Sequence, residues 1–390
     1  MERLRITGGR VLLRSDGEQA VDVTLEDGRI AGIDRGGHGA EFDARDLLVL
    51  PGIVDIHGDA FERQLQPRPG VGFAADIALH DTEAQLLANG ITTAFHGVTL
   101  SWEPGLRSLT AWQALLDALE ARPWTCDMRV HLRWEAFNLE ALDVALTDIV
   151  AGRVHLLAFN DHTPPILNKI KDPVVGAKYS DRAGMKLDDF RALAEQIGAR
   201  AASVPDALER IAAAARAAGL PMASHDDETV ATRQAFRARG ARICEFPMAE
   251  EVGQEARAEG DWVVMGCPNV VRGGSHLGWT SAARMAEAGI CNVLSSDYFY
   301  PAMLRAAMTL AERGTFDLPR AWDLISANPA AATGLADRGA IAEGLRADLV
   351  LVDPIVPRVV ATIAGGRIAY LTAEGAGRLA SATTARNPLR

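Results

Sequence analysis

The stretch PGIVDIHGDA, residues 51–60, carries an apolar run into an imidazole and a carboxylate. Side chains of a β-strand alternate with period 2, so a strand that begins at Gly52 directs His57 and Asp59 to the same face. This stretch therefore predicts a buried strand that ends in two polar side chains, both able to bind a metal.

Seven further runs resemble this strand, and helical patterns separate most of them. The eight predicted strands are GIVDIHGD, GITTAFHGV, DMRVHLRWE, RVHLLAFND, LPMASHDD, RICEFP, DWVVMGCPN and CNVLSSD. This repetition predicts an α/β fold, a (β/α)8 TIM-like barrel over residues 51–343. A doubly wound open sheet is the alternative, and the lack of a GxGxxG or Walker A loop counts against it.

The two ends of the chain predict a second, smaller unit. Asp27-Gly28 lies between two alternating runs, and Gly365-Gly366 interrupts RVVATIAGGRIAYL, so both ends carry hairpin signals. We expect residues 1–50 and 344–390 to form one small β-sandwich domain beside the barrel.

Composition excludes several classes of partner. The net charge of −11 over 390 residues provides no positive field for nucleic acid or a membrane surface. No run approaches the roughly 18–20 apolar residues of a membrane span. Four cysteines without a CxxC pair, and an N-terminus without a long apolar core, lead us to expect a cytoplasmic protein without a thiolate zinc site. The oligomeric state stays open, with a homo-oligomer among the options.

Polar residues end five of the predicted strands, and active groups of such barrels lie at these C-terminal ends. They are His57, Asp59, Glu135, Asp161-His162, His225-Asp226-Asp227 and Asp297. A single such residue usually caps a helix or makes a structural hydrogen bond. This number of carboxylates and imidazoles at one end of a barrel predicts a metal site. The donors suit Zn²⁺ or Mn²⁺, and two ions about 3.5–4 Å apart need five or six ligands.

Two motifs resemble the amidohydrolase superfamily. PGIVDIHGD resembles its PG-x-x-D-x-H-x-H motif, and NPAAATGLADRGAIAEGLRADLVLVD resembles its return from barrel to β-sandwich. Asp59 stands where the superfamily has a second histidine. With PRPGV, VHLRWE, NDHTP, EFP, PNVVRGGSH and SSDYFYPAM, this variant is similar to the phosphonate-metabolism diphosphatases, one branch of the superfamily. The resemblance implies cleavage of α-D-ribose 1-methylphosphonate 5-triphosphate to the 5-phosphate and pyrophosphate, in the carbon–phosphorus lyase pathway.

The resemblance also implies roles for single residues. It implies two divalent metal ions, held by His57, Asp59, Glu135, His162, His225 and Asp297. Glu135 is then the bridging ligand in place of a carboxylated lysine, and the sequence has no lysine before Lys169 that could take this role. Asp297 has the acid/base role.

Basic residues indicate where a triphosphate binds. All four lysines, Lys169, Lys171, Lys178 and Lys186, lie in one 18-residue segment with Arg182. The surrounding segment, 161–187, contains PP, DP and Gly176, so we predict a long loop over the barrel mouth that closes on polyphosphate. A solvated surface loop is the alternative.

A second basic group follows the seventh strand. Arg272, Ser275 and His276 surround Gly273-Gly274 where barrels often bind phosphate. Arg63 and Arg68 are lesser candidates. His96 and His131 lie inside strands, so we interpret them as structural or supporting residues.

The preferred function is metal-dependent hydrolysis of a phosphoanhydride on a small anionic substrate. Asp297 accepts a proton, and Lys and Arg side chains neutralise charge on the leaving pyrophosphate. The first alternative is a cyclic-amide hydrolase of the dihydroorotase or hydantoinase kind, against which Asp59 and the basic segments count. The second is a metal-free scaffold protein, against which the full set of metal-binding residue types counts.

Overall fold

The computed structural model describes residues 3–14, 17–36, 38–68, 70–273 and 281–384. The strands in these ranges are β1 (Leu4–Thr7), β2 (Arg10–Leu13), β3 (Gly17–Ala20), β4 (Val23–Glu26), β5 (Arg29–Ile33), β6 (Ala40–Asp43), β7 (Leu48–Pro51), β8 (Ile53–Gly58), β9 (Ile91–Leu100), β10 (Asp127–Glu135), β11 (Leu156–Asn160), β12 (Met222–His225), β13 (Ile243–Glu245), β14 (Trp262–Gly266), β15 (Val293–Ser295), β16 (Leu349–Asp353), β17 (Arg358–Ala364) and β18 (Arg367–Leu371). The α-helices are α1 (Glu62–Leu65), α2 (Ala75–Ala88), α3 (Leu109–Glu120), α4 (Leu142–Val150), α5 (Thr163–Lys169), α6 (Pro173–Ala183), α7 (Leu187–Gly198), α8 (Val204–Ala217), α9 (Val230–Ala238), α10 (Glu250–Ala258), α11 (Cys267–Arg272), α12 (Ala282–Glu287), α13 (Ala302–Glu312), α14 (Leu318–Asp323), α15 (Ala327–Ala332) and α16 (Ala373–Thr384).

Strands β8 to β15 form one parallel sheet in sequence order, and each contains the core of one predicted strand. A parallel bridge between Gly58 and Asp297 brings the first and last strands together. The Asp297 N–H donates to the His57 carbonyl at 3.0 Å, and the Asp59 N–H donates to the Asp297 carbonyl at 2.9 Å. The predicted (β/α)8 barrel is therefore confirmed, and the open-sheet alternative is wrong.

The chain ends form two further sheets, which confirms the predicted β-module built from both termini. A six-stranded sheet in the order β18-β17-β16-β7-β2-β3 pairs β16 with β7 antiparallel, with Leu349 opposite Pro51. The second sheet has the order β5-β4-β1-β6. Asp27 (φ 50°) begins a turn between β4 and β5, and its left-handed backbone is the conformation that a two-residue hairpin turn requires. The exact boundaries, 1–50, 51–343 and 344–390, stay a prediction, and α16 was not predicted.

The segment 161–187 is helical, so the predicted long loop is wrong. It contains α5, α6 and the first residue of α7. The Asp172 side chain accepts from the backbone N–H groups of the first turn of α6, Pro173 occupies that turn, and Gly184 (φ 66°) ends the helix in the left-handed conformation. Proline in a first turn loses no helical hydrogen bond, because its N–H has no partner there in any case. The prolines that indicated a loop therefore start helices.

Apolar packing fixes the strands that carry the polar side chains. All ten residues of β9 are buried. Helix α3 buries Trp112, Leu115 and Leu116, the i, i+3, i+4 pattern of one helical face.

In the described ranges, no helix is both long and apolar enough to cross a membrane.

Candidate active site

Strand β10 shows how the barrel wall delivers polar groups. His131, Arg133 and Glu135 alternate with Val130, Leu132 and Trp134, which pack in the apolar layer below the helices. The first three side chains therefore share the opposite face, towards the barrel interior.

The more buried of two polar groups, which we call the inner cluster, consists of His57, His131 and Glu245. One ligand atom from each of the three lies within 4.8 Å of the other two. The distance from Glu245 Oε2 to His57 Nδ1 is 3.0 Å, and to His131 Nε2 it is 3.8 Å. His57 is 1% exposed, and His131 and Glu245 are 0% exposed. Strands β8, β10 and β13 therefore bring the three side chains together away from solvent.

The second group, the outer cluster, consists of His162, His225 and Asp226, again with ligand atoms within 4.8 Å of one another. Asp226 Oδ2 lies 3.7 Å from His162 Nε2 and 3.5 Å from His225 Nε2. His162 and Asp226 are 30% and 27% exposed, whereas His225 is 5% exposed. His225 Nδ1 also lies 3.3 Å from Glu245 Oε2, so the two clusters are in contact.

The six predicted metal ligands divide between these groups and their surroundings. His57 lies in the inner cluster, and His162 and His225 lie in the outer one. Glu135 Oε2 is 3.3 Å from His162 Nδ1, and its Oε1 accepts from the His162 N–H and from the Thr163 N–H and hydroxyl. Their role as ligands stays a prediction.

The last two predicted ligands, Asp59 and Asp297, lie at the seam of the barrel. Their backbones are hydrogen-bonded to each other. Asp59 Oδ2 is 3.8 Å from the Arg133 guanidinium, whose Nη2 lies 2.8 Å from His225 Nε2. Arg133 therefore contacts both the outer cluster and the seam.

Burial controls the protonation of these groups. It lowers the pKa of His57 and of His131 to about 3 and raises that of Glu245 to about 7. Partial burial and the negative charge of Asp59 raise the pKa of Asp297 to about 7.

His162 is the exception among these imidazoles. Burial lowers its pKa, but contacts with Asp226 and Glu135 outweigh that effect and raise the pKa to about 9. At neutral pH and without a metal, His162 is therefore cationic, whereas the imidazoles of the inner cluster are neutral.

Just beyond the ends of the barrel strands, three non-glycine residues of the described ranges adopt left-handed backbone conformations. They are Asp226 (φ 56°), Phe246 (φ 52°) and Asp297 (φ 55°). Such conformations cost of order 1–3 kcal/mol each and persist where surrounding contacts fix them. Here the Asp226 N–H donates to the Glu245 carbonyl at 3.0 Å, in addition to the Asp297 bond described above. The strain therefore coincides with the ends of the strands that carry the carboxylates.

Several of the predicted basic residues already have partners outside the two clusters. Arg182 pairs with Glu103, Arg63 donates to the Tyr298 carbonyl, and Arg272 Nη1 lies 3.4 Å from the Tyr298 hydroxyl. Arg68 is exposed and pairs with Val71 in an isolated bridge.

The predicted lysines lie on or beside the helices of segment 161–187 and are exposed. Lys169 ends α5, Lys178 lies in α6, and Lys171 donates to Asn168 at 3.1 Å. Ser275 and His276 lie outside the described residues.

Sequence reasoning missed Glu245, and its interpretation of His131 as a structural or supporting residue stays a prediction. Glu245 ends β13 and lies two residues before the end of the sixth predicted strand, RICEFP, so it is a strand-end carboxylate like the others. His131 and Arg133 precede Glu135 by four and two residues, so the alternation of β10 was a signal for their direction.

Comparison with known proteins defines the class. The model of the amidohydrolase family matches residues 48–376, and the chain belongs to this family. The chain is 34% identical to the alpha-D-ribose 1-methylphosphonate 5-triphosphate diphosphatase of Escherichia coli (strain K12) over 312 residues. This alignment covers 78% of this chain and 82% of the relative. An allantoinase of Bacillus licheniformis is 35% identical over 101 residues, or 25% of this chain and 21% of the relative.

Solved structures of the same fold have lower identity. Molinate hydrolase aligns with a TM-score of 0.64 and 16% identity over 94% of both chains. The beta-aspartyl dipeptidase of Fervidobacterium islandicum AW-1 aligns with a TM-score of 0.63 and 16% identity over 95% of this chain and 97% of its own. At this identity the likeness shows the fold alone. The family and its relatives make this protein a hydrolase of the amidohydrolase type.

Proposed function

We propose that this protein is a metal-dependent diphosphatase that converts α-D-ribose 1-methylphosphonate 5-triphosphate to the 5-phosphate and pyrophosphate. The observation that carries the proposal is the 34% identity to the Escherichia coli diphosphatase over most of both chains. The sequence variant Asp59 and the strand-end residues support it, because the same positions resemble the phosphonate-metabolism branch.

Divalent cations fit the donors at the strand ends. His57 Nδ1 is buried and has no hydrogen-bond partner among the described residues. We propose that two ions, Zn²⁺ or Mn²⁺, are held by His57, Asp59, Glu135, His162, His225 and Asp297. When bound, such ions supply Lewis acidity toward a phosphoryl oxygen and stabilise the charge that develops there.

Asp297 is the proposed proton acceptor. Without a metal, burial raises its pKa to about 7, and a bound cation would lower that pKa and favour the carboxylate form, which accepts a proton. The backbone hydrogen bond to His57 fixes its position. We propose that it takes the proton of the attacking water and later delivers a proton to the products.

Cations around the mouth would neutralise the triphosphate. Arg133 is nearest to the clusters and 7% exposed, and a guanidinium matches the oxygens of a phosphoryl group. The more peripheral candidates remain those predicted from the sequence, namely Lys169, Lys171, Lys178, Arg182, Arg272, Ser275, His276, Arg63 and Arg68. We propose that they bind the β- and γ-phosphates.

Phosphorus NMR of the purified, metal-replete protein tests this function. With ribose 1-methylphosphonate 5-triphosphate we expect signals of pyrophosphate and of the 5-phosphate, and no orthophosphate. A nucleoside triphosphate measures selectivity. Dihydroorotate and allantoin contain no phosphorus, so their ring opening, followed by carbon NMR, tests the cyclic-amide alternative. Turnover of a cyclic amide without turnover of the triphosphate would reject the diphosphatase in favour of that alternative.

A further inference from the structure

We propose that Glu245 and His131 bind a divalent cation together with His57, at a buried site inside the barrel. Neither Glu245 nor His131 belongs to the ligand set inferred from the sequence. The proposal deepens the proposed function and rests on one part of it, that the protein binds divalent metal. It assigns one of the two ions to the inner cluster.

The site is built from three separate strands. His57 comes from β8, His131 from β10 and Glu245 from β13, and each side chain is at most 1% exposed. Side chains fixed by packed strands lose little freedom when a ligand binds, which favours a preformed site. Two imidazoles and one carboxylate are donors typical of Zn²⁺ and also acceptable to Mn²⁺.

The orientation of His131 indicates a cation ligand. Its Nδ1 lies 3.1 Å from the Ile56 carbonyl, and a carbonyl accepts hydrogen bonds, so Nδ1 carries the hydrogen. In the neutral ring Nε2 then presents a lone pair, and it faces Glu245 Oε2 at 3.8 Å. Two electron-rich atoms that face each other repel unless a positive charge lies between them. A backbone carbonyl on the far ring nitrogen is also the usual support of a metal-binding histidine.

Orphaned polar atoms point to the same place. Among the residues in the described ranges, His57 Nδ1, His131 Nε2 and Glu245 Oε1 are buried without a hydrogen-bond partner. Buried polar atoms are nearly always satisfied in folded proteins, so a cluster of three calls for a bound species. One cation satisfies several of them at once, whereas a shared proton satisfies at most two.

Glu135, the predicted bridging residue, differs from Glu245 in this respect. Its Oε1 already accepts three hydrogen bonds, from His162 and Thr163. Glu245 Oε1 has none within the described part of the chain, and its Oε2 lies within 3.0–3.8 Å of three imidazole nitrogens. Glu245 therefore has more oxygen lone pairs available to bind a cation than Glu135 has.

The first test measures metal content. Wild-type protein and Glu245→Gln are loaded with Zn²⁺, dialysed, and analysed by mass spectrometry of the metal, with circular dichroism as a check of folding. We expect the variant to lose roughly one metal equivalent per chain, because the amide keeps the size but lacks the charge. Asp148→Asn is the matched control, since Asp148 is a buried carboxylate on α4 that accepts from Trp112 and Arg153. It should retain the wild-type content.

The second test uses the wild-type protein, so it does not depend on whether a variant folds. Wild-type protein with ¹⁵N-labelled histidine is loaded with ¹¹³Cd²⁺, and we expect a nitrogen–cadmium coupling at the His131 ring nitrogen remote from Ile56. Metal-loaded protein without this coupling would overturn the site, and so would folded Glu245→Gln with full metal content. A shared proton would then explain the close approach of Glu245 to the imidazoles. Failure of the metal-replete wild type to cleave the triphosphate would reject the proposed function and leave this assignment standing.

Discussion

The inner cluster and the lysine-bearing helices α5 and α6 represent two ways of placing charge in one barrel. The three side chains of the inner cluster are at most 1% exposed and extend from barrel strands. Lys169 and Lys178 are exposed and extend from surface helices. A buried charge acts in a low dielectric with fixed geometry, whereas an exposed one is screened by water and salt. A residue of the buried region should therefore contribute more to hydrolysis and substrate binding than a residue of the exposed region.

Metal removal should give the largest effect, because it acts on the buried region as a whole. A chelator-treated protein should lose all measurable hydrolysis of the triphosphate, and added Zn²⁺ or Mn²⁺ should restore it. Phosphorus NMR measures turnover, and circular dichroism checks that the fold survives. Full activity of protein shown to be metal-free would show that hydrolysis does not need a metal ion, and it would remove the proposed role of the buried donors.

Asp297→Asn should have the next largest effect. Asparagine keeps the size and one oxygen but cannot accept a proton at neutral pH, and loss of a general base costs roughly 10²–10⁴ in rate. Metal content should change less than kcat, because five of the six predicted ligands remain. A variant that binds metal and turns over at nearly the wild-type rate would show that Asp297 is not the base.

Arg133→Gln tests whether a cation of the buried region binds substrate. Hydrogen bonds to charged groups contribute about 1.5–3 kcal/mol, so we expect kcat/KM to fall roughly 10- to 100-fold. Arg133→Lys keeps the charge but loses the planar guanidinium, so it should recover part of the activity. If both variants lost metal rather than affinity for triphosphate, Arg133 would act on the outer cluster instead, through its 2.8 Å contact with His225.

The barrel could be predicted from the sequence because its strands are short, apolar and evenly spaced. Seven of the eight runs contain an observed strand, the other overlaps β9, which extends two residues further, and the polar residues that end the runs lie at one end of the barrel. Segment 161–187 was mispredicted because Pro173 is compatible both with a loop and with the first turn of a helix. The side-chain cap from Asp172 decided between the two.

The site was predictable in part for a related reason. His57, His162 and His225 lie at the ends of strands, where the active groups of such barrels are expected. Glu245 lies on a strand of three residues, and its significance depends on imidazoles contributed by other strands. Such contacts between distant parts of the chain follow from barrel closure and from strand stagger, which local patterns in the sequence do not specify.

Lys178→Ala should produce the smallest effect and addresses the exposed region directly. Ion pairs between solvent-exposed groups typically contribute about 0.2–1 kcal/mol, which corresponds to roughly a 1.4- to fivefold rise in KM with kcat nearly unchanged. The effect should shrink as salt is added, since a Debye length of about 8 Å at physiological ionic strength screens exposed charges.

Arg313→Ala is the matched control for this variant. Arg313 is an exposed cation that follows α13, and helices of a (β/α)8 barrel run back from the mouth, so its removal should leave KM unaltered. A rise in KM for Lys178→Ala alone would give the helical segment a role in binding triphosphate. Equal KM values for the wild type and both variants would make the lysines a solvated surface, and recognition of the substrate would then depend on the buried region.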